Sequence, residues 1–300
     1  MTELTSATFI APTGVRGAFA SLLLSVSRHR LAAVGLFIIA LLCLIAITAP
    51  LIAPYSPYDQ DLYSVLAGPS RRHWLGTDNL GRDLVSRVIY GTQVSLLVGV
   101  SSTLLSAIIG VAIGLFAGFK GGVIDSIIMR ITDAFLCFPP LIFILAMAAV
   151  LGPGAHNIIL SFAVFGWTGF ARIIRGQVLL VRELPFVEAA RSIGVPPLRI
   201  MWRHVLPNTL APIIVATTIT VGSVILIESG LSFLGFGVLP PTASWGEELR
   251  VGFTYLEIVP LFSIAPGSMI ALAVIAFNFV GDGLRDSLDP RLKGAGLRRS

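Results

Sequence analysis

The chain contains a run of 22 residues, 31–52, without a single charged side chain. As a helix this run is about 33 Å long, enough to cross a hydrocarbon core of about 30 Å. Only 12% of the chain is charged, against about 25% in soluble domains, which excludes an ordinary soluble fold. Five further apolar stretches follow, at 94–119, 134–151, 158–171, 210–236 and 258–280. We therefore predict an all-α integral membrane protein with six transmembrane helices.

The six stretches are not equally regular. Pro139 and Pro140 lie near the start of the third, where proline removes a helix hydrogen bond and should produce a kink. The fourth is short for a span, and Glu228 interrupts the fifth. The predicted organisation is a tail at 1–30, a first span at 31–52, a loop at 53–93, a core at 94–283 and a tail at 284–300.

Six spans place both termini on one side of the membrane. If that side is the cytoplasm, 53–93 is an external loop and 16 of the 21 Lys and Arg residues are cytoplasmic. The remaining five are Arg71, Arg72, Arg82, Arg87 and Arg250. Cytoplasmic loops of membrane proteins carry an excess of Lys and Arg. We therefore predict a multi-pass protein with both termini in the cytoplasm.

One cytoplasmic segment, 185–204, is polar and lies between two apolar stretches. Pro185 suits the first turn of a helix, Glu188 is favourable near its positive end, and Gly194 is suited to ending it. A helix of about two and a half turns is too short to be stable alone. It would persist by docking in a groove of another protein or by lying on anionic lipid. The residues themselves leave both explanations open.

The order Glu188-Ala189-Ala190, then Gly194, then Leu206-Pro207 resembles the cytoplasmic loop of ABC importer permeases. The resemblance implies the type I ABC importer permease fold, with a cytoplasmic coupling helix at about 185–204 between spans four and five. In that family the loop docks on the ATP-hydrolysing subunit. The residues implied in this coupling are Phe186, Glu188, Ala189, Ala190, Gly194, Leu206 and Pro207.

A second motif, from His73 to Arg87 in the predicted external loop, is similar to the dipeptide, oligopeptide and nickel branch of these importers, specifically its second type of permease subunit. Ser244-Trp245-Gly246 and the stretch from Gly281 to Asp286 match the same branch. The resemblance covers nearly the whole chain. It implies a bacterial inner-membrane location and a substrate that is a dipeptide or oligopeptide, with nickel chelates, glutathione or another small solute as the alternative.

The resemblance also implies the partners. They are a second, homologous permease that completes a heterodimer, two ATPase subunits, an external solute-binding protein, membrane lipid and the peptide substrate, with no nucleic acid. The chain lacks a phosphate-binding loop and a nucleophile motif, so we predict a non-catalytic subunit that binds no cofactor, with ATP-Mg used by the partner subunits. A secondary transporter that works alone is the remote alternative.

Two features inside the spans suggest specific roles. Gly110, Gly114 and Gly118 form a small-residue ladder on one helix face, which predicts a close helix–helix contact within the subunit or across a dimer. Glu228 is a carboxylate in an apolar span, and such groups face protein or a water-filled path. It either lines the translocation pathway or is a hydrogen-bonded structural residue.

The predicted external loop contains Trp74, Asp78, Gly81, Arg82 and Asp83. These residues lack the close spacing of metal ligands, so we predict no metal site. We expect Arg82 and Asp83 to fix the loop or to meet an external partner. Elsewhere, Asp133 follows Arg130 by three residues, the spacing of an ion pair on one helix face.

Overall fold

The computed structural model describes residues 29–288. Within them, the regular structure is helical apart from one isolated bridge between Thr77 and Asp83. The helices are α1 Arg30–Ile52, α2 Leu84–Lys120, α3 Gly122–Leu136, α4 Pro140–Leu151, α5 Ala155–Val181, α6 Pro185–Ser192, α7 Pro197–Ile200, α8 Leu206–Phe233, α9 Trp245–Thr254 and α10 Leu261–Leu288. Most of both predicted tails, at 1–28 and 289–300, lies outside the described residues.

Five helical stretches are long and apolar enough to cross a membrane: α1, α2, α5, α10 and the continuous stretch Pro197–Phe233. A sixth span exists if α3 and α4 are counted as one, although they meet at 86°. The break falls at Cys137–Pro139, so the kink predicted from the two prolines is present and is a sharp bend. Proline cannot donate the backbone hydrogen bond that would continue α3 into α4.

Two span boundaries predicted from the sequence were wrong. The second span begins at Leu84 and not at residue 94, because Arg87 is buried and its charge does not end the helix. The fourth span, predicted as 158–171, is the 27-residue helix α5, which continues through Arg172 and Arg175 to Val181. Both errors arise because ion pairs allow arginine inside an apolar helix.

The glycine ladder lies against α5 of the same chain. A Cβ added at Gly110 would be 2.4 Å from the carbonyl oxygen of Trp167, and one at Gly114 would be 2.3 Å from that of Ala171. At Gly118 the nearest atoms belong to Val178, at 3.0 Å. Because a missing side chain lets two backbones approach closely, the ladder holds α2 against α5. This seam runs between the two ends of the helix bundle. We call the end with residues 53–83 the loop end and the end with α6 the coupling end.

The stretch from Pro197 to Phe233 contains a π-helical turn at Met201–Val205. Pro207 lies two residues after this turn, and a proline leaves the carbonyl four residues earlier without its usual donor. The wider turn accommodates the proline without ending the helix. As a result the predicted coupling helix at 185–204 was too long: only Pro185–Ser192 forms a separate helix, and residues 197–204 belong to the beginning of the fifth span.

Candidate functional site

The short helix α6 has well-defined ends. It starts after Leu184, whose backbone is extended, and Pro185 occupies its first turn. At the other end Gly194 has a φ of +77°, a conformation that favours glycine. The amide of Gly194 donates to the carbonyl of Arg191 at 3.0 Å, and the amide of Val195 donates to that of Ala190 at 3.1 Å. This pair of bonds is the Schellman motif, and it stops the helix at the residue expected.

Helix α6 has one face against its own chain and one face open. Val187 and Ala190 are buried in a core cluster with Leu115, Ile174 and Val205. On the other face Glu188 and Ala189 are exposed, and Ile193 is 80% exposed. Among the predicted coupling residues, Ala190 lies on the inward face of α6, where its side chain packs into the protein and anchors the helix.

The rest of the predicted coupling motif surrounds this anchor. Phe186 and Leu206 are partly buried and pack against the same core cluster, whereas Pro207 is exposed. The guanidinium of Arg191 lies 5.7 Å from the ring centroid of Phe119, at the end of α2, a cation–π distance. Arg182 donates through Nη1 to the carbonyl of Gly118 at 2.8 Å. The first contact holds α6 against the end of α2, and the second joins the end of α5 to α2.

Glu228 has no exposed surface in α8. Ser232 donates its hydroxyl to Oε1 at 2.8 Å, and Oε2 has no hydrogen-bond partner among the described residues. The side chain therefore does not face an open surface of this chain. Of the two roles considered for Glu228, the geometry favours the structural one.

The loop end is organised around Asp83, which begins α2. Its Oδ2 accepts hydrogen bonds from the amide and the hydroxyl of Ser86, both at 2.8 Å, and its Oδ1 lies 2.9 Å from Nδ1 of His73. A carboxylate that accepts from the first-turn amide is a helix cap. Gly81 lies so close to the backbone of Asp61, in the same loop, that an added Cβ would be 1.8 Å from the carbonyl oxygen of Asp61. Trp74 is exposed.

Beneath this loop lies a cluster of four buried charges, with the side chains of Asp78, Arg82, Arg87 and Glu248 at most 5% exposed. Arg82 Nε lies 2.5 Å from Asp78 Oδ2, and Arg87 Nη2 lies 2.5 Å from Glu248 Oε1. Burial raises the pKa of the Glu248 carboxyl, and Arg87 acts in the opposite direction. The charged form of Glu248 therefore depends on Arg87. The side chains of Arg82 and Asp83 thus fix the loop. The Arg87–Glu248 ion pair could not be predicted from the sequence, because its two residues are far apart in the chain.

Two ion pairs join α3 to α5 near the coupling end. Arg175 Nη2 lies 2.6 Å from Asp125 Oδ2, and Arg172 Nη2 hydrogen-bonds Asp133 Oδ1. The predicted partner of Asp133, Arg130, was wrong, because the two helices run alongside each other and bring Arg172 closer. The signal that could have identified these pairs is the presence of two arginines in α5 and two aspartates in α3, each otherwise in an apolar sequence.

Comparison with known proteins identifies the family. Residues 110–294 match the family described as binding-protein-dependent transport system inner membrane component, and residues 22–69 match the N-terminal TM domain of oligopeptide transport permease C. The chain is 43% identical over 267 residues to the dipeptide transport system permease protein DppC of Bacillus subtilis, with 89% of this chain and 83% of that protein covered. It is 42% identical over 267 residues to the glutathione transport system permease protein GsiD of Pectobacterium atrosepticum, with coverage of 89% and 88%.

The fold is also found among solved structures. The inward-facing MetNI methionine ABC transporter matches with a TM-score of 0.55 at 20% identity, covering 69% of this chain and 98% of the matched chain. Permeases of this family are multi-pass inner-membrane subunits that work with ATPase and solute-binding partners. The chain belongs to the binding-protein-dependent transport system inner membrane components and is an ABC importer permease of the dipeptide and oligopeptide branch.

Proposed function

We propose that this permease forms one half of the translocation pathway of a peptide importer and that α6 transmits the movement of an ATPase subunit to it. A second, homologous permease supplies the other half, so that the complex contains two permeases, two ATPase subunits and an external solute-binding protein. Both termini and α6 face the cytoplasm, and the loop end faces outward. The ATPase subunits hold ATP-Mg and carry out its hydrolysis, while this chain contributes no catalytic group.

The observation that carries this proposal is the division of α6 into two faces. Val187 and Ala190 fix the helix to the core formed by α2, α5 and α8. A partner that pushes on the exposed face with Glu188, Ala189 and Ile193 therefore pushes on three spans at once. An amphipathic helix that only rested on lipid would turn its apolar side outward, toward the acyl chains. Here the fully buried apolar residues are turned toward the protein.

Two relatives support a short peptide as the substrate. The dipeptide transporter permease and the glutathione transporter permease are almost equally similar to this chain, at 43% and 42% identity. Glutathione is itself a tripeptide, with an unusual linkage at its first residue. We propose a short peptide with free ends as the substrate, and glutathione as the second candidate. Uptake of radiolabelled dipeptide by the complete transporter, with unlabelled glutathione as competitor, separates the two.

A charge reversal tests the coupling role. Glu188→Arg should reduce ATP-driven uptake by at least about tenfold, equivalent to about 1.4 kcal/mol, because it places a cation in the docking face near the positive end of α6. The amount of permease inserted in the membrane should be unchanged. Glu257→Arg, an exposed acidic residue between α9 and α10, is the matched control and should transport normally. Unimpaired uptake by the Glu188 variant would refute docking through this face and favour the lipid-bound helix.

A further inference from the structure

The coupling end of the bundle extends well beyond the start of α1. Helices α1 and α2 pack together and run in opposite directions. Their register is fixed where Gln93 Nε2 donates a hydrogen bond to the carbonyl of Ala46 at 2.6 Å. From Ala46 back to Arg30, where α1 starts, is about 24 Å, whereas from Gln93 to Lys120, where α2 ends, is about 40 Å. Helix α2 therefore continues about 16 Å past the start of α1.

The start of α1 marks one boundary of the hydrocarbon core. Arg28 and Arg30 lie at this start, and the next charged residue along the chain is Asp59. The 22 uncharged residues at 31–52 extend about 33 Å and match a core of about 30 Å, so α1 has little freedom to slide without placing a charge in lipid. If both helices tilt by about 40°, the end of α2 still lies about 12 Å beyond the boundary. The last turns of α2 are therefore outside the hydrocarbon core.

An apolar cavity of about 260 Å³ lies in this part of the molecule, between the end of α2 and the start of the stretch Pro197–Phe233. Phe116 in its wall lies about 10 Å past the start of α1. On the opposite wall the side chain of Leu198 is 66% exposed. Contiguous apolar surface that is exposed outside lipid marks a contact with another protein. The residues that line the cavity are Phe116, Phe119, Lys120, Pro197, Leu198 and Met201.

The cavity adjoins the exposed face of α6. The ring of Phe119, in the cavity wall, has its centroid 5.7 Å from the guanidinium of Arg191, an exposed residue of α6. Leu198 follows α6 after a short turn that begins with Gly194. A partner seated on the exposed face of α6 therefore also reaches the cavity. The family supplies that partner, because its permeases work with ATPase subunits.

We propose that this cavity is a second contact site for the ATPase subunit and takes one of its large apolar side chains, a leucine, methionine or phenylalanine. This inference rests on the proposed docking of α6. A partner held only by the two turns of α6 can pivot on that helix, whereas two contacts fix its orientation. Pro197 and Leu198 in the cavity wall are the first residues of the stretch that contains the fifth span. The ATPase subunit therefore acts on this span directly, in addition to acting through α6.

Cysteine reporters test whether the ATPase subunit covers the cavity. Cys43 and Cys137, both exposed, are replaced by serine, and Leu198→Cys is compared with Leu62→Cys, a leucine at the loop end that is 70% exposed. In open membrane fragments that contain both permeases but no ATPase subunits, a water-soluble maleimide should label both reporters. ATPase subunits at ten times their Kd should slow the labelling of Leu198→Cys by about tenfold, the factor 1 + [L]/Kd. The labelling of Leu62→Cys should not change.

Two substitutions of Leu198 test the apolar character of the contact. Leu198→Asn should weaken binding of the ATPase subunits to the membrane-bound permeases by at least about tenfold, equivalent to about 1.4 kcal/mol, because the amide would lose its water in an apolar cavity. Leu198→Met keeps the size and the apolar surface and should bind as the unmodified protein does. ATP-driven uptake by the complete transporter should fall only in the first variant. Equal binding by both variants would overturn the proposal.

A third reporter, Ile193→Cys on the exposed face of α6, separates this inference from the proposed function. If ATPase subunits protect neither Ile193→Cys nor Leu198→Cys, the docking role of α6 is wrong. If they protect Ile193→Cys alone, α6 docks and only the second contact is wrong. A Leu198→Cys reporter that does not react even without ATPase subunits would show that lipid or the second permease fills the cavity, and would also overturn the second contact.

Discussion

Replacing Gly114 by alanine should leave the permease less stable than the same replacement at Gly176. Both glycines lie inside long helices, α2 and α5. In such positions alanine is intrinsically favoured over glycine by about 1 kcal/mol. This gain is common to both variants and cancels between them. The difference in their free energies of unfolding therefore reports packing against neighbouring atoms alone.

The magnitude follows from the seam between α2 and α5. At Gly114 the new Cβ would lie 2.3 Å from the carbonyl oxygen of Ala171 and from Cγ2 of Ile174, while ordinary contacts begin at 3.4 Å. The helices must therefore separate by about 1 Å, and added atoms in a packed interior cost about 1–3 kcal/mol. At Gly176 the new Cβ meets no atom within 4 Å. We expect Gly114→Ala to be less stable than Gly176→Ala by about 1–3 kcal/mol.

The assay is unfolding of the purified permease in mixed micelles of increasing SDS content, followed by circular dichroism and tryptophan fluorescence. Gly176→Ala should unfold at a higher SDS fraction than the unmodified protein, because nothing offsets the helix gain. Gly169→Ala, which also has open space around it, should behave in the same way. Equal free energies for the Gly114 and Gly176 variants would refute the tight α2–α5 seam.

Four further substitutions test the loop end and α8. Glu248→Ala removes the nearer carboxylate partner of the buried Arg87 and leaves it Asp78 at 3.6 Å; it should cost about 3 kcal/mol, the low end for breaking a buried pair, measured as faster proteolysis of residues 53–83. Arg87→Met should cost less, because burial raises the pKa of Glu248 and favours its neutral form, whereas a guanidinium cannot lose its proton; equal losses would contradict this asymmetry. Asp83→Ala removes the cap of α2 and should cost about 1–2 kcal/mol in the same proteolysis assay, so unchanged cleavage would exclude the cap. Glu228→Gln keeps a hydrogen bond to Ser232 and should leave peptide uptake unchanged; loss of uptake by a fully assembled transporter would return Glu228 to the pathway.

Hydropathy predicted the all-helical class and the centre of most spans, because the cost of placing charge in lipid is read directly from the sequence. It failed at the ends of spans. Arg87, Arg172 and Arg175 are charged but lie inside helices, and each is compensated by a carboxylate distant in sequence. Such pairing depends on which helices become neighbours. A single sequence does not directly show which helices pack against each other.

In the coupling segment, too, local features could be predicted and contacts between distant residues could not. The end of α6 near Gly194 could be predicted, because the residue after a helix often adopts a left-handed backbone conformation, which glycine adopts most easily. The inward direction of Ala190 could not, since a helix of two turns has too few residues to define a face without its neighbours. The partner of Asp133 was assigned to Arg130 from local spacing alone. The structure pairs it with Arg172, which is 39 positions away in the chain.

The π-helical turn gives the stretch from Pro197 to Phe233 an unusual mechanical property. Because the helix is not interrupted at Pro207, its 37 residues form one rod about 55 Å long. Such a rod is a lever arm: a tilt of about 5° at the Pro197 end carries the Phe233 end through about 5 Å, close to the pitch of one helical turn. A small displacement beside α6 is thereby amplified at the opposite face of the membrane.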